Sequence, residues 1–132
     1  KILGNRWLTN PDAIHHQYAA AIRLNDKKAY VAPVLVAKSD SYQGGSFFSY
    51  VQLKLLVLHK VKDEIVPQLK DSKPILLEIP EADDYLKVIG GNTGYIIHAE
   101  EVMADNFVYA ILGKTVKKQS IPKAIIALLK KP

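Results

Sequence analysis

The sequence predicts an α+β fold, an antiparallel β-meander followed by C-terminal helices. Two patterns point to it. Runs rich in strand-favouring residues occupy the first half of the chain, with period-two alternation through residues 47–61. Apolar residues at helical spacing, closed by glycines, occupy the last third. Strands first and helices last is the order of an α+β domain.

Residues 1–15 read as irregular, with Asn10-Pro11-Asp12 a turn signal. Tyr18 to Leu24 and Lys28 to Lys38 read as strands joined by the hairpin connection Asn25-Asp26-Lys27. Pro33 lacks an N–H, which places the second strand at an edge or gives it a bulge. Ser39 to Ser46, with the Gly44-Gly45 pair, reads as a mobile polar loop. A strand is expected from Ser49 to Lys62. Val51, Leu53, Leu55 and Val57 share its more apolar parity, and Phe47, Phe48 and Tyr50 are expected to pack in the core. Asp63-Glu64 turns the chain, and Pro67, Pro74 and Pro80 keep the next segment extended.

Three helices follow. Glu81 to Ile89 lies between Pro80, a first-turn residue, and the stop Gly90-Gly91. Ala99 to Leu112 ends at Gly113, carries acids in its first turn, and offers Met103, Phe107, Ala110 and Ile111 as a core stripe. Ile121 to Lys130 has Ser120 as N-cap, Pro122 in the first turn, and Ile121, Ile125, Leu128 and Leu129 as its core face.

The 132 residues fit a single domain, residues 1–132. An apolar fraction of 48% and a charged fraction of 23% exclude a disordered or collagen-like chain. No apolar run is long enough to span a membrane. The lack of cysteine excludes a disulfide scaffold and a thiol enzyme. The chain opens on Lys1 rather than methionine, so the expectation is a processed product or the C-terminal part of a longer protein. The net charge of +5 is uneven: six lysines and no acid lie between Lys114 and Lys131, which reads as a solvated basic helix face. Arg6 and Arg23 are the only arginines, which argues against specific nucleic-acid recognition.

Chemistry concentrates in residues 92–107. Glu101 and Asp105 are four apart and share one helical face, where two carboxylates repel unless a donor or cation intervenes. Ala104 between them leaves room for a neighbouring helix, and His98 stands at the helix entry. The pattern Glu101-Val102-Met103-Ala104-Asp105 resembles the glutamate helix of the gluzincin zinc metallopeptidases. In that family an earlier helix bears His-Glu-x-x-His and a later one bears Glu-x-x-Ala-Asp or a similar run. The resemblance implies Glu101 as the third zinc ligand, and His98, which from the helix entry can point toward the same space, is a further metal candidate by position. It implies Asp105 as the acid that orients a zinc-bound histidine. The four histidines, His15, His16, His59 and His98, form no His-Glu-x-x-His. The resemblance therefore implies a zinc hydrolase only if that helix comes from outside these residues, and no zinc is expected on residues 1–132 alone. The loop 90–94 is glycine-rich, but it follows a helix and reads as a turn rather than a phosphate cradle. The other functional class is a non-enzymatic interaction module. It would bind a protein or peptide, or form a homodimer, through a sheet edge, with the basic C-terminal helix steering association.

Overall fold

The computed structural model describes residues 4–8 and 17–131. After a 3-10 turn at Gly4–Arg6 come β1 (Trp7–Leu8), β2 (Ala20–Leu24) and β3 (Lys27–Ala37). A single helical turn, α1 (Phe47–Tyr50), leads into β4 (Val51–Val61) and β5 (Glu64–Pro67). The short strands β6 (Leu69–Lys70), β7 (Lys73–Pro74) and β8 (Leu76–Leu77) follow. A 3-10 turn at Ile79–Ala82 then opens α2 (Asp83–Ile89), and α3 (Ala99–Ile111) and α4 (Ser120–Leu129) close the chain. The fold is α+β: β2, β3, β4 and β5 pair antiparallel in chain order, β1 joins β3, β8 joins β4, and β6–β7 form a separate hairpin.

The β2–β3 hairpin turns on Asn25 and Asp26, with φ of 49° and 61°. Both tolerate the left-handed region, and two such residues twist a turn to match its strands. Asp71 (φ 51°) and Ser72 (φ 60°) do the same between β6 and β7, a hairpin that the prolines had concealed as plain extended chain.

Pro33 corrects the expectation of an edge strand or a bulge. It lies inside β3, opposite Leu55, with no break in register. The Lys38 N–H donates to the Tyr50 carbonyl at 2.7 Å, so even-numbered residues of β3 bond to β4 and odd-numbered ones face the other side. On that side β2 ends at Val31 and β1 begins at Leu35. Pro33 thus points its missing N–H into the gap between two strands, where no ladder bond is lost among the described residues.

Two further expectations change at the amino-terminal half. Trp7 and Leu8 are not irregular but pair with Val36 and Leu35, while Asn10-Pro11-Asp12, His15 and His16 lie outside the described residues. The strand expected from Ser49 begins at Val51, because Ser49 closes a turn on the Ser46 carbonyl through both its N–H (3.0 Å) and its hydroxyl (2.6 Å). Phe47 and Phe48 consequently sit on the surface rather than in the core. The loop before them is organised by Tyr50, whose hydroxyl donates to the Gly44 carbonyl and accepts from the Gln43 N–H, both at 2.6 Å.

The core lies where the sheet face carrying Ile22 of β2 and odd-numbered residues of β3 and β4 meets α2. Ile22, Val31, Leu55 and Val57 pack with Ala82 and Tyr85. Burying a side chain such as Leu55 contributes roughly 1.5–3 kcal/mol. The Tyr85 hydroxyl donates to the Ile96 carbonyl at 3.4 Å, which ties the loop before α3 to this core. Arg23 N–H on the outer edge of β2 donates to Asp84 Oδ2 at 3.1 Å, so α2 blunts that edge. Gly90 ends α2 at φ 96°, and a Cβ there would stand 2.2 Å from Ile121 Cδ1, so glycine also lets α4 approach.

The two last helices correct the expected core stripes. Met103, Phe107 and Ile111 are 57%, 43% and 56% exposed, and of the α3 stripe only Ala110 is buried. Leu128 and Leu129 of α4 are exposed as well, and its buried residue is Pro122. Asn106 and Ala110 instead face the body of the protein, because a side-chain hydrogen-bond network, not the apolar stripe, sets the rotation of α3.

Candidate functional site

The network begins at Asn92. Its amide nitrogen donates to Asn106 Oδ1 at 2.7 Å and to the Lys118 carbonyl at 3.1 Å, and its Oδ1 accepts from the Lys118 N–H at 2.7 Å. Asn106 is 1% exposed, and its own amide donates to the Val102 carbonyl at 2.8 Å. One asparagine thereby joins the glycine loop, α3 and the connection to α4. A buried amide with its donors and acceptor engaged specifies one arrangement, because any rotation of α3 would strand it.

Next to it, Thr93 O–H donates to Asp105 Oδ2 while its oxygen accepts from the Tyr95 N–H at 2.9 Å. The hydroxyl is thus oriented by the backbone and spends its proton on the carboxylate. This holds Asp105, half-buried, at the loop side of α3. Glu101, one turn earlier on the same face, is also half-buried.

His98 is 4% exposed and is the N-cap of α3 in extended conformation (φ −152°, ψ 149°). Its Nδ1 accepts from the Glu100 N–H at 3.1 Å, which assigns the proton of the neutral ring to Nε2. A histidine in the place usually held by Ser, Thr, Asp or Asn satisfies one of the orphan N–H groups of the first turn. Its Nδ1 is therefore engaged by the helix. Among the described residues no group of three or more His, Asp or Glu side chains is gathered as a metal site, so His98, Glu101 and Asp105 do not form one between them.

Adjoining the Glu101 side of α3 runs an apolar groove of about 650 Å³, lined by Tyr18, Ala99, Glu100, Met103, Ala104, Phe107 and Val108. Sequence reasoning singled out Glu101, Asp105 and His98 but missed Asn92, Thr93 and Asn106. The available signal was a polar Asn106 on the same helical face as Ala110 and Val102. Comparison of the chain with protein-family models, with curated proteins and with solved structures finds no match.

Proposed function

We propose that α3 is the glutamate helix of a zinc metallopeptidase, completed by a His-Glu-x-x-His helix from outside these residues. Glu101 is the carboxylate ligand in this reading, and Asp105 is the acid that orients a ligating imidazole. One observation carries the reading. Glu101 and Asp105 share a face on which Thr93 holds Asp105, and an apolar groove that includes Ala104 and Val108 adjoins it. At about 100° per residue, Val108 lies about 20° and Ala104 about 60° from the direction of Glu101. A second helix seated on Ala104 and Val108 would therefore bring its own side chains toward that carboxylate.

The residues present fit one protein ligand of three. Zinc held by two imidazoles and a carboxylate keeps a position for water and makes that water a nucleophile near neutral pH. Within this chain, Glu101 supplies negative charge to the site. Asp105, steadied by Thr93, accepts a ring N–H and fixes a tautomer, and His98 anchors the helix start that sets the direction of Glu101.

The test uses the full-length natural protein. We expect about one zinc per chain by elemental analysis, loss of most of it in Glu101→Gln, and weakening of roughly 10–100-fold in Asp105→Asn. Thr93→Val should weaken it in the same direction. A full-length protein that takes up no zinc, or one in which Glu101→Gln leaves zinc content and hydrolysis intact, overturns the proposal. The first of those results favours the interaction module.

A further inference from the structure

A second concavity, of about 640 Å³, lies between the end of α2, the glycine loop and the approach to α4. That volume is within the range of small-molecule sites, roughly 300–1,000 Å³. It is lined by Lys87, Lys117 and Lys118, by the apolar Leu86 and Ile96, and by Gly90, Gly91, Thr93 and Gly94. No acid lines it, although residues 78–105 hold seven acids.

The lysines differ in how their charge is used. Lys87 is paired with Asp83 at 3.3 Å and stands 3.9 Å from Asp84, so its ammonium is compensated. Lys118 Nζ donates to the Lys87 carbonyl at 3.0 Å, a neutral partner that leaves its charge standing. That bond also covers a carbonyl at the end of α2, which would otherwise repel an anion. Lys117 makes no hydrogen bond or ion pair among the described residues, and its Nζ lies 3.9 Å from where a Cβ on Gly91 would stand. Two positive charges with no acidic partner among the described residues thus share one concavity with glycines and two apolar side chains. The two bonds between Asn92 and Lys118 hold this frame in place before any ligand arrives.

We infer that this cavity binds a phosphate monoester with an apolar substituent. The two free charges match a dianion. Lysine is a point-charge partner suited to phosphate, and lysines are the cations that line the cavity. Leu86 and Ile96 would take the apolar substituent. Thr93, which lines the cavity and bonds Asp105, makes this site a neighbour of α3 without making it depend on any metal there.

Phenyl phosphate is the probe, titrated into the 132-residue protein and followed by amide chemical shifts. We expect saturable shifts at Gly91 and Gly94, weaker binding of inorganic phosphate, and still weaker binding of benzoate. Lys117→Gln should weaken phenyl phosphate at least tenfold, while Lys70→Gln, on exposed β6, should leave it unchanged. Far-UV circular dichroism of both variants establishes that they are folded. Non-saturable shifts, equal losses in the two variants, or benzoate binding as tightly as phenyl phosphate would each overturn the inference.

Discussion

Truncating Asn92 to alanine removes three hydrogen bonds by deleting one amide. The costs are unequal. Asn106 Oδ1 belongs to a residue that is 1% exposed, so it would lose its Asn92 donor with little access to water, at about 1–3 kcal/mol. The Lys118 groups lie in an exposed segment and recover solvent, so their two bonds together add only about 1 kcal/mol. The sum is roughly 2–4 kcal/mol, a large part of the stability of a small domain. Urea unfolding followed by circular dichroism measures it, with the midpoint falling and the slope unchanged. A double-mutant cycle with Asn106→Ala isolates the link between loop and helix. The coupling should be about 1–2 kcal/mol, because removing both partners leaves no stranded acceptor. A loss below about 0.5 kcal/mol in Asn92→Ala, or no coupling in the cycle, would refute the claim that this pair sets the rotation of α3.

Three other outcomes are expected. Burial pushes the Tyr85 hydroxyl up from 10.0 to about 12. The unfolded chain therefore loses this proton first, and stability present below pH 10 should fall as pH rises toward 12, by about 2 kcal/mol from this group. Ultraviolet titration should find one of the seven tyrosines ionising last, and Tyr85→Phe should remove that late step. Gly90→Ala should cost roughly 1–3 kcal/mol in urea, since φ of 96° strains any side chain and Ile121 Cδ1 occupies the space. On α3, Met103→Gln and Ile111→Gln should each change stability by less than about 1 kcal/mol, whereas Ala110→Gln, in a packed position, should cost roughly 1–3 kcal/mol. Equal effects at the three positions would show that the exposed face is packed after all.

The elements legible in the sequence are those whose signals are local. Asn25-Asp26 between two apolar runs, Gly90 after a helix and Gly113 after another each encode a backbone conformation directly. The strand parity of β4 was legible too, and Leu55 and Val57 are buried on the predicted face. What could not be read depends on partners far apart in sequence. Pro33 is tolerated because β1 and β2 both stop short of it, a fact about residues on either side of a long connection. The rotation of α3 depends on Asn92, 14 positions from Asn106. Apolar periodicity alone therefore turned the helix the wrong way. For the candidate site, the shared face of Glu101 and Asp105 follows from spacing, while the Thr93 hydroxyl that steadies Asp105 comes from a loop.

The misread stripe on α3 bears on function as well as folding. A helix in a finished core turns its largest apolar residues inward, since each buried one contributes about 1.5–3 kcal/mol. Here Met103, Phe107 and Ile111 stay outside while an asparagine is buried in their stead. The buried amide is retained only because its hydrogen bonds are met, and this arrangement does not use the apolar stripe for internal packing. Leaving those side chains in water costs little in this chain but gains much if another surface covers them. Glu101 stands on the margin of that same surface. In the reading proposed above, the open stripe and the half-buried Glu101 beside it are the two properties expected of a helix that would complete its packing against a second segment.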